Sequence, residues 1–172
     1  MTTKLTVGDP LPSVGLRATD GFLLNLRSYV TKQAAVFLFF GAPTLKGAAR
    51  RRGSKAIEAL ATGFDRLREA GIAVGGISTD SEQEQKQFVE AQRLPFLLFS
   101  DERRSAVGLL GVETAAEGEN VNVVKPVAIA VDRDGIIRAV VDPVSPESLV
   151  DDVMRALAEP IPAAATDAPA TS

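Results

Sequence analysis

The feature that most constrains the fold of this chain is an unbroken apolar run, AAVFLFF, at residues 34–40. A strand with one solvated face alternates apolar and polar residues, and this run does not alternate. Its length and its phenylalanines predict a strand that is buried on both faces, at the centre of a sheet. The segment Gly41-Ala42-Pro43-Thr44 follows the run and breaks the strand.

Strands and helices alternate around this central strand. Periodicity, turns and caps predict a hairpin at 14–19 and 22–26, the strand at 34–40, a helix that ends at Gly71 and a strand at 72–78. The capping box of Ser81 and Glu84 then opens a helix, which is followed by a strand at 96–99, a short helix at 105–110 and a polar loop at 113–124. The last predicted elements are strands at 127–131 and 136–141 and a helix with Pro146 in its first turn. This order predicts an α/β fold, a three-layer sandwich in which helices flank a mixed central β-sheet. The length fits one domain at residues 1–159. The Ala, Pro and Thr composition of residues 160–172 predicts a disordered tail.

The charge and composition of the chain narrow its function. Its formal net charge of −3 gives no general attraction to nucleic acid or to an anionic membrane, so neither is an expected partner. No apolar stretch reaches the roughly 18 residues of a membrane-spanning helix, and the first residues lack the apolar run of a secretory signal, so we expect a cytoplasmic protein. The chain has no cysteine and no histidine, which removes the thiolate and imidazole ligands of metal sites. We expect no metal and no cofactor.

Several ordered segments resemble the alkyl hydroperoxide reductase/thiol-specific antioxidant (AhpC/TSA, peroxiredoxin) family of the thioredoxin-like superfold. They are Val7-Gly8-Asp9-Pro10, Asp20-Gly21, the apolar run at 34–40, Ile77-Ser78-Thr79-Asp80, Leu94-Pro95-Phe96 and AIAVDRDGII at 128–137. The resemblance covers about residues 5–158 and implies a thioredoxin-like sandwich. It also implies a thiol peroxidase, an antioxidant oxidoreductase whose thiolate attacks the peroxide.

The family motif, Pro-x-x-x-Thr/Ser-x-x-Cys, lacks its reactive cysteine in this chain. Aligned on the end of the apolar run, Gly41, Leu45 and Ala48 take the Pro, Thr and Cys places; aligned on Thr44, Gly47 takes the Cys place. Neither alignment supplies a thiol, so no catalytic residue is expected. Without a neighbouring base, Thr44 is predicted to cap the following helix rather than to act as a nucleophile.

A second family position also differs. Peroxiredoxins carry an arginine six residues before the aspartate of the late hairpin, and here that position is Pro126, beside Lys125. In thioredoxin-like reductases a cis-proline begins this strand and faces the active-site turn. The resemblance therefore implies a cis bond at Lys125–Pro126. It leaves two interpretations open, a retained groove that pairs with an extended peptide or a purely structural turn.

Basic residues follow the motif, among them Lys46, Arg50 and Arg51. Cations at a helix N-terminus oppose the helix dipole and are unfavourable for the helix alone. They indicate either a solvated basic face with salt bridges to nearby acids, or a site for a small anion or an acidic partner.

We therefore expect a peroxiredoxin-like pseudoenzyme that binds a partner or a small anion at the old active-site rim, with Lys46, Arg50, Arg51, Lys125 and Pro126 as binding residues. The alternative is an antioxidant oxidoreductase that reduces peroxides or disulfides with a borrowed thiol or a bound cofactor. A third possibility is a scaffold that acts by dimerising. A homodimer would use Leu45 and the loop at 113–124.

Overall fold

The computed structural model describes residues 5–112 and 114–158, which contain nine strands and six helices. The strands are β1 (Gly15–Ala18), β2 (Leu23–Asn25), β3 (Ala34–Phe39), β4 (Ile72–Ser78), β5 (Leu97–Ser100), β6 (Thr114–Glu117), β7 (Asn120–Val124), β8 (Val127–Val131) and β9 (Ile137–Val141). The helices are α1 (Leu26–Tyr29), α2 (Gly47–Thr62), α3 (Phe64–Glu69), α4 (Glu82–Gln92), α5 (Ser105–Leu109) and α6 (Leu149–Ala158). Seven strands form one sheet in the order β2-β1-β5-β4-β3-β8-β9, while β6 and β7 form a separate hairpin.

The apolar run at 34–40 is the centre of the sheet, as predicted. Strand β3 pairs in parallel with β4 and antiparallel with β8, and residues 35–40 are fully buried. Its side chains alternate between two cores: Phe37 packs with side chains of α1 and α5, whereas Leu38 packs with those of α2, α3, α4 and α6. The mixed sheet between two helical layers confirms the predicted three-layer α/β sandwich.

Capping and glycine signals in the sequence predicted some helix ends and missed others. The capping box is formed, because Ser81 Oγ accepts from the Glu84 N–H and Glu84 Oε1 accepts from the Ser81 N–H, and α4 begins at the next residue. The predicted helix that ends at Gly71 is divided at Gly63 into α2 and α3. Helix α1 was not predicted; Asn25 caps it by accepting a hydrogen bond from the Arg27 N–H at 2.9 Å.

Three of the predictions about strands, helices and peptide bonds were wrong. Residues 114–124, predicted as a loop, form the β6–β7 hairpin, in which Gly118 takes a left-handed conformation (φ +61°) at the turn. The Lys125–Pro126 bond is not cis; the cis bond found among the described residues is Asp142–Pro143. Pro146 precedes the last helix, because α6 begins at Leu149.

The helices give no sign of a membrane span, since none within the described ranges is both long and apolar enough to cross a bilayer. The predicted disordered tail at 160–172 lies outside the described residues, so it stays a prediction.

Candidate functional site

The altered motif occupies the turn from β3 into α2, beside the end of the parallel strand β4. Helix α2 packs directly on this turn: a Cβ added at Gly53 would overlap the carbonyl oxygen of Gly41. The buried glycine at 53 therefore lets the helix backbone approach the turn more closely than any side chain would permit. This packing holds the turn that follows β3 against α2.

Two of the altered motif positions contact each other. A Cβ added at Gly41 would lie 2.7 Å from Cδ1 of Leu45, a distance too short for ordinary packing. In the alignment on the end of the apolar run, Gly41 takes the proline place of the family motif and Leu45 takes the threonine place. The end of the Leu45 side chain therefore occupies the space next to Gly41 and would have to move to admit a larger residue there.

The cysteine place lies in the first turn of α2. Gly47 is the first helical residue and has φ +66°, which a side chain at this position would adopt only with strain. Ala48 is the second helical residue and is exposed. The backbone therefore favours Ala48 as the position at which the family would carry its thiol. Neither residue can form a thiolate.

Thr44 does not cap α2, contrary to the sequence prediction. The cap position is Lys46, which makes no side-chain capping hydrogen bond. The Thr44 hydroxyl instead donates to Oδ1 of Asp80 at 2.6 Å. The backbone carbonyl of Asp80 accepts from the Ser100 hydroxyl at 2.6 Å, so the buried aspartate joins the turn to β5. Thr44 lies two residues before the cap position, and its hydroxyl bonds to Asp80 rather than to the first N–H groups of α2.

A polar cavity of about 360 Å³ lies beside Thr44. Three carboxylates and one cation line it: Asp80, Glu84, Glu102 and Arg104. Because the carboxylates outnumber the cation, the lining charge disfavours a small anion inside this cavity.

The guanidinium of Arg50, one of the predicted binding residues, holds the turn together. Its Nη1 donates to the carbonyl oxygens of Ala42 and Pro43, both at 2.8 Å, and at 3.4 Å to that of Leu45. These contacts satisfy carbonyl groups that leave the strand and have no sheet partner. Arg50 is therefore a structural residue of the turn, and its Nη1 is already engaged.

The β6–β7 hairpin is fastened to the start of α2. Asn120 pairs with both backbone groups of Lys46: its Oδ1 accepts from the Lys46 N–H and its Nδ2 donates to the Lys46 carbonyl, each at 3.0 Å. Arg52 and Glu117 form a two-pronged ion pair with bonds of 2.6 and 3.2 Å. The hydrogen bond from Arg52 is the main cause that lowers the pKa of Glu117, and the charges of Arg52 and Lys125 contribute.

The remaining predicted binding residues differ in exposure. Lys46, Arg51 and Lys125 are exposed, and we call these three cations the rim. The hairpin brings two of them to the same area, since Asn120 contacts Lys46 and Lys125 influences the nearby Glu117. Pro126 directly precedes β8 and is buried, so it packs inside the protein rather than forming part of the rim.

Comparison with known proteins agrees with this fold. The family model for AhpC/TSA proteins matches residues 7–140. The chain is 30% identical over 140 residues to peroxiredoxin Bcp of Escherichia coli strain K12, covering 80% of this chain and 86% of that protein. It is 26% identical over 155 residues to chloroplastic peroxiredoxin Q of Sedum lineare, and the match covers 90% of this chain and 78% of that protein. The crystal structure of peroxidoxin BcpB from Mycobacterium tuberculosis superposes with a TM-score of 0.76 at 21% identity, covering 90% of this chain and 97% of that one.

The fold and the position of the altered motif thus define a thioredoxin-like protein of the peroxiredoxin type. The chain belongs to the AhpC/TSA family, and the resemblance drawn from its segments is confirmed. Yet the whole sequence contains no cysteine.

Several site residues could not be found from the sequence. Asp80, Glu117 and Asn120 lie 36, 65 and 74 residues from their partners Thr44, Arg52 and Lys46. Asp80 lies in one of the segments that resemble the family, and this was the sequence signal that could have marked it as a site residue. Glu117 and Asn120 were assigned to a loop, and nothing in their local sequence indicated that they would reach α2.

Proposed function

We propose that this protein is a peroxiredoxin-family pseudoenzyme that does not reduce peroxides by a thiol mechanism and that docks an acidic surface of a partner protein on the rim. The proposal that the protein has no thiol peroxidase mechanism depends on the absence of cysteine from the sequence. A methionine thioether or a hydroxyl cannot replace a thiolate as the nucleophile at a useful rate. The differences at the proline and threonine places of one alignment support the same conclusion, since more than one atom of the motif has changed.

The charges around the turn support a partner surface over a small anion. The charged residues that line the cavity beside Thr44 are mainly carboxylates, which repel an anion. The exposed cations lie outside that cavity, on Lys46, Arg51 and Lys125. Long, solvated side chains that are spread over a surface suit an extended acidic patch, which contacts several of them together. A small anion would contact one of them and gain little in water.

A binding titration tests the rim with poly-L-glutamate as the acidic probe and inorganic phosphate as the small-anion probe. The test variant carries Lys46→Gln, Arg51→Gln and Lys125→Gln. The matched control removes three exposed cations elsewhere, through Lys32→Gln, Arg103→Gln and Arg133→Gln.

We expect poly-L-glutamate to bind the wild type at low ionic strength and to weaken by about tenfold in the rim variant, since each exposed charge contributes up to about 1 kcal/mol. The control should bind nearly as the wild type does. Equal losses in both variants, or no binding of the probe, would reject the rim as a docking surface. Phosphate binding that depends on the rim would support a small-anion site instead.

Peroxide turnover with a thiol donor would support the borrowed-thiol alternative. Turnover only by protein that retains a visible chromophore would support a bound cofactor. A homodimer through Leu45 and the β6–β7 hairpin stays a prediction, which sedimentation of the purified protein checks.

A further inference from the structure

The polar cavity beside Thr44 holds a buried carboxylate that lacks a counter-charge. Asp80 lines this cavity and is only 8% exposed. In the part of the chain that the structure describes, no lysine or arginine nitrogen lies within 4.0 Å of its carboxylate. Burial of a carboxylate costs free energy unless the group is paired and hydrogen-bonded. The fold therefore leaves here a negative group that a positively charged ligand would neutralise.

The two oxygens of the Asp80 carboxylate have different surroundings. Oδ1 accepts the hydrogen bond from the Thr44 hydroxyl at 2.6 Å. Within residues 5–112 and 114–158, Oδ2 has no hydrogen-bond partner, yet it is not enclosed by protein atoms. Since Asp80 lines the cavity, Oδ2 is reached from inside it. A donor group in the cavity therefore meets an acceptor that Thr44 already holds in place.

The other charged residues of the lining increase the negative charge of the cavity. Glu84 and Glu102 add two exposed carboxylates, and Arg104 is an exposed cation. Among the described residues, none of these three forms a salt bridge. Three carboxylates and one guanidinium give the lining a formal charge of −2. This charge favours a cation in the cavity over a neutral or negative molecule of the same size.

The chemistry of the lining suits a cation that donates hydrogen bonds. Thr44, Thr79 and Ser81 line the cavity together with Asp80, so hydroxyl oxygens accompany the carboxylate. An ammonium group carries three donors and no acceptor, which matches a lining of oxygen acceptors. Within the described ranges, no group of three or more acidic side chains is arranged to hold a metal ion. The volume of about 360 Å³ lies at the lower end of the range for small-molecule sites, which limits the ligand to a few heavy atoms.

We propose that this cavity binds a small primary amine in its protonated form. The ammonium group donates to Oδ2 of Asp80 and to hydroxyl oxygens of the lining, while Glu84 and Glu102 favour its approach from solvent. The site is distinct from the proposed docking surface, because none of the three rim cations lines the cavity. The two sites also select opposite charges, so each is tested without the other.

A ligand series of similar size tests the selection by charge. At pH 7, ethanolamine is positive, ethylene glycol is neutral and glycolate is negative. Binding is followed through the backbone amide signals of Thr79 and Asp80 in nitrogen-15 NMR spectra, with the ionic strength held constant by sodium chloride. We expect ethanolamine to shift these signals saturably and to bind roughly tenfold more tightly than ethylene glycol, with glycolate weakest.

A substitution of the buried carboxylate tests its role. Asp80→Asn removes the negative charge and keeps an oxygen that accepts from the Thr44 hydroxyl. The preference for ethanolamine over ethylene glycol should disappear in this variant. The matched control, Glu69→Gln, removes an exposed carboxylate of α3 that does not line the cavity and should leave the preference unchanged.

A second pair of variants predicts a gain of affinity, which partial unfolding does not mimic. Arg104→Gln removes the cation that lines the cavity and should strengthen ethanolamine binding about two- to threefold. The control is Arg103→Gln, because Arg103 is an exposed neighbour that does not line this cavity. The control should change the affinity less. This pair keeps the test decisive even if Asp80→Asn fails to fold.

Equal affinity for the three ligands in the wild type would overturn the proposal, as would no saturable shift with ethanolamine up to about 50 mM. An amine preference that survives in folded Asp80→Asn would also overturn it. The same applies if Arg104→Gln and Arg103→Gln change the affinity equally.

Discussion

Replacing Gly53 with alanine tests how closely α2 packs on the turn that carries the altered motif. In most helices, Gly→Ala is stabilising by up to about 1 kcal/mol, because alanine has the higher helix propensity. Here the added Cβ would overlap the backbone carbonyl oxygen of Gly41, which cannot rotate away as a flexible side chain could. Overpacking of this kind costs about 3 kcal/mol at the upper end of its usual range. The net expectation is a loss of about 2 kcal/mol in the free energy of unfolding.

Gly108 supplies the matched control. It is an exposed glycine in α5, and a Cβ added there would meet nothing within 4 Å. Gly108→Ala should therefore leave stability unchanged or raise it by up to about 1 kcal/mol. Urea unfolding followed by circular dichroism measures both variants, and the melting temperature of Gly53→Ala should fall by about 4–8 °C. Equal or higher stability of Gly53→Ala would refute the close packing of α2 on the turn.

Two further substitutions test contacts of the site. Thr44→Val removes the hydrogen bond to the buried Asp80 and should lower the free energy of unfolding by about 1–3 kcal/mol at pH 7. Urea unfolding measures this change. An unchanged free energy of unfolding would indicate that the bond is not formed in solution. The ion pair of Arg52 and Glu117 should stabilise the fold only while the carboxylate is ionised. Since folding lowers the pKa of Glu117, this contribution is present above the unfolded pKa and is lost as pH falls through the folded pKa. The difference in melting temperature between wild type and Glu117→Gln should therefore shrink from pH 7 to about pH 3, and a constant difference would contradict the pairing.

The sequence predicted the parts of the fold that depend on local patterns. The apolar run at 34–40 identified the central strand because unbroken burial leaves a distinctive composition. Ser81 and Glu84 located the start of α4 because a capping box is complete within four residues. The β6–β7 hairpin was missed because its strands are short and its turn, around Gly118, lacks the residue pairs that mark most tight hairpins.

The candidate site was predictable in position but not in detail. The ordered family-like segments located the altered motif, and the loss of the thiol was evident from the composition. The role of Arg50 was not evident, because a basic residue near a helix start has the same sequence pattern whether it faces solvent or binds carbonyl groups. The contacts of Asp80 and Asn120 depend on tertiary packing across many residues, which no local pattern encodes.

The measurement that most directly tests the absence of thiol peroxidase chemistry is peroxide consumption by the purified, metal-free and cofactor-free protein. Hydrogen peroxide is supplied together with dithiothreitol or with a thioredoxin system, and its loss is followed against a mixture without protein and against an active peroxiredoxin. The account expects the rate with this protein to equal the rate without it. Catalytic loss of peroxide that grows in proportion to the concentration of this protein would contradict the account.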